Sequence, residues 1–212
     1  STLLAVFLDK TAPTTTIALS GTLGLNDWYT SDVQVKLTCS DNVGGSGCKD
    51  LRSCTTASSS CSPIPDDPPV TTKDITISDE GTTKVMFYSI DNAGKTENAQ
   101  FRLVKIDKTS PSTGIALSGI LGNNGWYRSD VKVSLTCSDA ISGCKEVRYC
   151  TSSLTCMPVA DSTPSATETI SIKDEGTTYI RYNSVNNAGK IEAIKSQEIK
   201  IDKTAPSTIA SA

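Results

Sequence analysis

The sequence predicts an all-β protein built from two tandem β-sandwich domains that are braced by disulfides. Three observations support this: the chain repeats itself, apolar residues alternate as in strands, and the eight cysteines fall four to each copy. The repeat is clearest in the sequence DKTAP at residues 9–13, which returns as DKTSP at residues 107–111 and as DKTAP at residues 202–206. A period of about 100 residues is that of an independently folding domain, not of a solenoid unit.

The repeated landmarks set the predicted domain boundaries. Domain 1 is predicted over residues 9–106 and domain 2 over residues 107–201. Residues 1–8 resemble the segment that precedes Asp107, so we expect them to be the last strand of a preceding module or a donor strand. Residues 202–212 repeat the start of a domain, and we expect them to begin a further module or to be a linker.

Alternating apolar and polar residues predict the strands of each domain. In residues 33–39 every second side chain is apolar or cysteine, and residues 131–137 repeat the pattern. Further strands are predicted over residues 48–54, 85–90 and 100–106, with counterparts in the second copy. Seven or so short strands in about 100 residues predict a two-sheet sandwich of the immunoglobulin-like type.

Two local details of this sandwich are also predicted. Residues 48–54 form a strand whose even-numbered residues, from Cys48 to Cys54, share one face. The sequence Asp-Asn-Ala-Gly at residues 91–94 predicts a hairpin in which Asn and Gly supply positions of positive φ.

The cysteines predict a disulfide framework and an oxidising, extracellular compartment. Cys39 ends one strand and Cys48 begins the next, both facing inward, while Cys54 and Cys61 would close the following hairpin. The favoured pairs are Cys39–Cys48, Cys54–Cys61, Cys137–Cys144 and Cys150–Cys156. The alternative crosses them, as Cys39–Cys54 with Cys48–Cys61. Structural zinc is disfavoured because the chain has no Cys-x-x-Cys pair and no histidine.

Several motifs in a fixed order resemble a known family. They are the sequence at residues 9–13, NDWYTSDV at residues 26–33 and YSIDNAGK at residues 88–95. Together they are similar to the immunoglobulin-like repeats of bacterial and archaeal surface proteins of the OmpL47 type. The resemblance covers both domains almost end to end, and four cysteines per domain depart from the common pattern. It implies a secreted or wall-bound protein in which such domains form a stalk behind an adhesive or catalytic tip.

Two aromatic pairs are candidates for ligand binding. Trp28 with Tyr29, and Trp126 with Tyr127, could present a platform on which a sugar stacks. The favoured interpretation is that each Trp fills one end of its sandwich, because both copies carry the pair at the same position.

Acidic residues near the ends of the domains are candidate calcium ligands. Asp9, Asp91 and Asp107, with loop carbonyls, offer the oxygen ligands that this hard cation prefers. In the second copy Asn186 replaces Asp91 and removes a charge, which weakens the prediction. The alternative is that Asp9 and Asp107 only cap a turn before proline.

Composition argues against several other functions. The absence of histidine removes the usual general base and the Ser-His-Asp arrangement, and we expect no enzyme activity. A net charge of −3 without a basic cluster argues against a nucleic-acid partner. The longest apolar run, residues 3–8, is far shorter than the roughly 20 residues that span a bilayer, so direct membrane insertion is not expected. We expect no cofactor apart from calcium at the ends of the domains.

The sequence therefore favours a structural or adhesive role as tandem modules of an extracellular stalk or filament on a prokaryotic surface. The expected partners are neighbouring modules of the same or an identical chain. Two alternatives stay open. In one, Leu3 to Leu8 donate a strand to the next subunit of a head-to-tail fibre. In the other, the Trp-Tyr pairs or loop tips bind a surface glycan or protein.

Overall fold

A computed structural model describes residues 8–160 and 162–208, and these residues form strands, turns and loops without a helix. The all-β prediction is confirmed. It follows that no helix in the described residues could cross a membrane. The proposed donor segment lies outside the described residues except for Leu8, so strand donation stays a prediction.

The chain divides into two compact units, Ser1–Lys108 and Thr109–Ala212, called unit 1 and unit 2 below. Among the residues described, unit 1 has seven strands: β1 (Thr14–Ser20), β2 (Trp28–Tyr29), β3 (Val33–Ser40), β4 (Cys48–Thr56), β5 (Thr72–Ile77), β6 (Gly81–Asp91) and β7 (Gln100–Ile106). One sheet has the order β1-β3-β5 and the other has the order β2-β7-β6-β4. Among the described strands of unit 1, β2 and β7 are the only pair that runs in parallel. Two such sheets around one core form an immunoglobulin-like sandwich.

Unit 2 repeats this arrangement with one added strand among its described residues. Its described strands are β8 (Ser112–Ser118), β9 (Trp126–Tyr127), β10 (Val131–Ser138), β11 (Cys144–Ser152), β12 (Val159–Ala160), β13 (Thr167–Ile172), β14 (Gly176–Asn186) and β15 (Lys195–Ile201). The sheets have the orders β13-β10-β8 and β12-β11-β14-β15-β9. The short edge strand β12 corresponds in unit 1 to a single bridge between Ser53 and Ile64.

Each unit has its own hydrophobic core between its two sheets. In β3, the alternating residues Val33, Val35 and Leu37 are fully buried, and they pack with Val85 of β6 and Val104 of β7. Unit 2 builds the equivalent cluster from β10, β14 and β15. Since burial of each such side chain contributes about 1.5–3 kcal/mol, both units have the means to fold around their own core.

A β-bulge changes which residues of β4 face the core. The register to β6 shifts between Cys48 and Asp50. Cys48 packs against the core, and so does the buried Leu51 three positions later, an odd spacing that an uninterrupted strand does not allow. The prediction that the even-numbered residues share one face is therefore wrong: Arg52 lies on the face opposite Leu51, away from the core. Unit 2 has the same bulge in β11.

The turn after β6 is tied to the loop between β3 and β4. Gly94 has a φ of 82° and its counterpart Gly189 a φ of 89°. Asn92, which was predicted to share this conformation, has no positive φ. Its Nδ2 atom donates instead to the carbonyl oxygens of Ser46 and Gly47, at 2.9 and 3.1 Å. This contact joins the turn after β6 to the loop residues that directly precede β4.

Candidate metal centre and cross-sheet contacts

The disulfides in the described residues connect the two sheets and close one loop in each unit. Cys39–Cys48 joins β3 of one sheet to β4 of the other, and Cys54–Cys61 closes the loop after β4. Unit 2 has the equivalent pairs Cys137–Cys144 and Cys150–Cys156. These are the favoured pairs rather than the crossed ones, and no described cysteine is free.

A buried carboxylate also links the two sheets of unit 1. Glu97, which is 9% exposed, accepts hydrogen bonds from the backbone N and Oγ1 of Thr15, at 2.9 and 2.6 Å. It also accepts one from the backbone N of Ser89, at 3.2 Å. Thr15 lies in β1 and Ser89 in β6, so one side chain holds strands of opposite sheets. Gln100 Nε2 is a further donor to Glu97.

Unit 2 keeps this link but adds a cation. Glu192 accepts from the backbone N of Thr113 at 3.0 Å and from its Oγ1 at 2.6 Å, and from Ser184 Oγ at 3.2 Å. Lys195, at the position of Gln100, places its Nζ 2.6 Å from Glu192 Oε1. Burial raises the pKa of Glu192, but the bonds from Lys195 and Thr113 outweigh it and hold that pKa below its ordinary value.

These two glutamates were missed in the sequence. Their signal is the recurrence of Thr15, Ser89 and Glu97 as Thr113, Ser184 and Glu192. No spacing rule distinguishes such a buried acid from a solvated one before the two sheets are placed together.

Three carboxylates of unit 1 converge at one end of the sandwich, and we call them the carboxylate cluster. Asp9 precedes β1, Asp41 follows β3 directly, and Asp91 ends β6. One carboxylate oxygen of each lies within 4.8 Å of the others. Of the predicted calcium ligands, the structure thus brings Asp9 and Asp91 together and adds Asp41, which was missed. The group does not include Asp107, which is fully buried and whose backbone N donates to Tyr29 O at 2.9 Å.

Backbone N–H groups orient the outer two members of the cluster. Asp9 Oδ2 accepts from Ser46 N at 2.7 Å and Oδ1 from Thr11 N at 3.1 Å. These bonds, that from Ser46 foremost, hold the pKa of Asp9 below its ordinary value. Asp41 Oδ2 accepts from Gly47 N at 2.6 Å. These backbone bonds fix the direction of both carboxylates.

Asp91 differs from its two neighbours in burial and in partners. Its side chain is fully buried, and its Oδ1 accepts from Lys95 N at 2.7 Å. Its Oδ2 atom is buried and has no hydrogen-bond partner in the described part of the chain. A buried neutral polar group without a hydrogen-bond partner destabilises a fold by roughly 1–3 kcal/mol. A buried carboxylate oxygen without a partner destabilises it by more.

Unit 2 satisfies the same position with an amide. Asn186 Oδ1 accepts from Lys190 N at 2.8 Å, as Asp91 Oδ1 does from Lys95 N. Asn186 Nδ2 donates to Asp139 Oδ2 and to the Thr109 carbonyl oxygen, both at 3.0 Å. The amide nitrogen thus stands where the unpartnered oxygen of unit 1 stands, and it has two acceptors.

The Trp-Tyr pairs divide their roles between core and surface. Tyr29 and Tyr127 pack against the two hydrophobic cores, whereas Trp126 is 36% exposed. The interpretation that each Trp fills one end of its sandwich is therefore wrong for Trp126. Trp28 is half-buried, with Lys105 Nζ 5.4 Å from the centre of its ring. Whether these side chains bind a ligand stays a prediction.

An open groove lies beside Tyr29 in unit 1. Its volume is about 440 Å³, and its lining includes Leu23, Phe101 and Leu103, which are 60%, 59% and 49% exposed. Exposed apolar side chains around a groove are typical of binding surfaces.

The similarities of this chain to known proteins are remote. No family model and no curated protein matches this sequence. The chain is similar to the fibronectin(III)-like modules of CbhA from Clostridium thermocellum, with 13% identity over 93% of this chain and 100% of that one, at a TM-score of 0.37. The D00-D0 domain of intimin matches with 10% identity over 87% and 97% of the two chains, also at 0.37. Since both TM-scores are below 0.5, these similarities carry no argument about function.

Proposed function

We propose that the protein is a structural segment of an extracellular prokaryotic surface protein, in which tandem immunoglobulin-like domains provide length and spacing. The observation that carries this proposal is that each unit closes its own core and ties its two sheets with a disulfide and a buried carboxylate. Two domains that each have their own core are suited to set a distance and to carry a mechanical load, because neither needs the other in order to fold.

Two further observations support the location and the partners. Every described cysteine forms a disulfide, and this favours an oxidising compartment outside the cytoplasm. The motif order resembles the OmpL47-type repeats, whose setting is a stalk or filament at a cell surface. The partners proposed are neighbouring domains of the same chain or of an identical one.

Small-angle X-ray scattering of the full chain tests the spacer function. A single compact globule of this length would have a radius of gyration of about 17 Å. Each domain is expected to add roughly 35–40 Å along its strands, so a spacer predicts a radius clearly above that value and a two-domain pair-distance distribution. A radius near that of one globule contradicts the proposal.

The groove in unit 1 favours one second candidate, an adhesive module that binds a surface glycan or protein. Phe101 lines it as an exposed ring, and Lys84 Nζ lies 4.4 Å from the centre of that ring. A glycan array would show binding that is lost in Phe101→Ala and kept in Trp126→Ala, at unchanged thermal stability. No binding to any glycan, or equal binding by both variants, leaves the glycan-binding candidate without support.

A further inference from the structure

We propose that the carboxylate cluster of unit 1 binds one Ca²⁺ ion, and that the Asn186 side chain takes the place of that ion in unit 2. The inference concerns the stability of one unit and does not depend on the spacer function. It is carried by four observations: the convergence of three acids, the unpartnered buried oxygen, the absence of an ion pair between the cluster and a described basic side chain, and the contrast with unit 2.

The spacing of the cluster fits one shared cation. Ca²⁺ binds oxygen at about 2.4 Å, so two ligands on opposite sides of the ion lie about 4.8 Å apart and adjacent ligands lie closer. The three carboxylate oxygens are all within 4.8 Å of one another. A single ion can therefore contact one oxygen from each of Asp9, Asp41 and Asp91, with water completing its shell.

The second observation is the Oδ2 atom of Asp91. It belongs to a fully buried side chain of the cluster and accepts no hydrogen bond from any described residue. Asp9 and Asp41, in contrast, accept hydrogen bonds from the backbone N–H groups of Ser46 and Gly47, which hold their oxygens in place. A cation is the partner that would satisfy the buried oxygen and neutralise its neighbours together.

No basic side chain of the described residues forms an ion pair with the cluster. None of the ion pairs found there joins a Lys or Arg to any member of the cluster. Lys95, the nearest in sequence to Asp91, donates its backbone N–H to that residue. Its exposed side chain helps to lower the pKa of Asp9 by a coulombic interaction, the smallest of the causes, without contacting the cluster as an ion pair. Negative charges on carboxylates at this separation repel one another unless a cation lies between them.

Unit 2 shows what the position requires when no cation is available. The Asn186 Nδ2 atom donates to Asp139 Oδ2 and to the Thr109 carbonyl oxygen, so two acceptors converge on one neutral N–H donor group. Their counterparts in unit 1 are Asp41 and the Thr11 carbonyl. The carbonyl of Thr11 is therefore the fourth protein ligand that we assign to the ion.

The ion would join three segments that are distant in sequence. Asp9 lies before β1, Asp41 in the β3–β4 loop, and Asp91 at the turn after β6. Extracellular calcium sites of this type have dissociation constants on the order of 10⁻⁴–10⁻³ M, so occupancy would follow the calcium level outside cells. We expect Mg²⁺ to bind at this site more weakly than Ca²⁺, because Mg²⁺ binds oxygen at about 2.1 Å and keeps its water more firmly.

Calorimetric titration of the chelator-treated full chain with CaCl₂ tests the proposal. The expected result is one Ca²⁺ per chain, and weaker binding of MgCl₂. Asp91→Asn should weaken calcium binding at least tenfold, since it removes the unpartnered oxygen and places an amide there, as in unit 2. Asp74→Asn, which removes an exposed carboxylate of β5, is the matched control and should bind as the wild type does.

A second readout separates the two units and remains informative if a variant folds poorly. The chain has two tryptophans, Trp28 in unit 1 and Trp126 in unit 2, so Trp126→Phe and Trp28→Phe leave one reporter each. Calcium should raise the unfolding temperature reported by Trp28 and leave that reported by Trp126 unchanged. Absence of binding at millimolar calcium, unchanged binding by Asp91→Asn, or an equal response of both reporters would overturn the proposal.

Discussion

Units 1 and 2 have the same strand arrangement and matching disulfides, yet they differ at one polar position in each of two clusters. Asp91 of unit 1 is Asn186 in unit 2, and Gln100 of unit 1 is Lys195. The first exchange replaces one oxygen by an N–H donor at nearly constant shape, and it changes the local charge by one. The comparison teaches that a repeat can keep its fold while it changes the way in which a buried carboxylate is satisfied.

The second exchange shifts the local charge of unit 2 in the same direction, but it does so by adding a cation. Glu97 has a neutral partner in Gln100, whereas Glu192 forms an ion pair with Lys195. Unit 1 thus concentrates negative charge at the end of its sandwich, and unit 2 adds a cation at its cross-sheet link. Four predictions follow from this comparison.

The largest expected effect is the loss of the cross-sheet carboxylate. Glu97→Ala and Glu192→Ala should each lower the free energy of unfolding of their own unit by about 4 kcal/mol, because several buried donors lose their acceptor. Urea unfolding monitored by Trp28 or Trp126 alone measures each unit. A loss below about 1 kcal/mol would mean that these glutamates do not join the sheets.

Removal of the inter-sheet disulfide should have a smaller and similar effect in the two units. The double variants Cys39→Ala/Cys48→Ala and Cys137→Ala/Cys144→Ala open loops with separations of 9 and 7 residues. The chain-entropy model gives a loss of about 2.5 kcal/mol for each. The same single-tryptophan unfolding assay measures it, and a difference above about 1 kcal/mol between the units would contradict the proposed equivalence.

Asp91→Asn should stabilise unit 1 in the presence of a chelator. The substitution supplies an N–H donor to Asp41 and removes an unpartnered charge, so the gain is expected to be about 2 kcal/mol. Thermal unfolding followed at Trp28 with EDTA measures it, and Asp74→Asn is again the control. Destabilisation by Asp91→Asn without calcium would show that Asp91 is already satisfied in the absence of an ion.

The smallest effect is the part of the pH dependence of unit 2 that arises from Glu192. The pKa of Glu192 is lowered in the folded state, so its contribution is present above the unfolded value of about 4.5 and declines as the pH falls through the lower folded value. Lys195 is 41% exposed, and salt should weaken the effect further. Urea unfolding of unit 2 from about pH 6 to pH 3 should show this decline, and Glu192→Gln should lack that part of it.

The fold could be predicted because its signals are local. Alternation in residues 33–39 identifies a buried strand, and matched cysteines at the ends of neighbouring strands identify their pairs. The bulge in β4 could not be predicted, because the residues at Cys48 and Asp50 also fit an uninterrupted strand. Tertiary packing of Leu51 decides the register there.

The candidate site could be predicted only in part, for a related reason. Asp9 and Asp91 stand out because they flank repeated motifs, but Asp41 looks like an ordinary loop residue after a strand. Asp107 has the same sequence signal as Asp9, yet it is absent from the carboxylate cluster. Which acids meet depends on how the ends of β3 and β6 converge, and no short motif encodes that distance.

The most direct test of the central claim is a calcium titration of the wild-type chain followed by backbone amide NMR. Ser46 and Gly47, whose N–H groups donate to Asp9 and Asp41, should shift as calcium is added. Gly143, whose N–H donates to Asp139 at 2.8 Å in unit 2, should not move. Stationary signals for Ser46 and Gly47 up to millimolar calcium, or an equal shift of Gly143, would contradict the account.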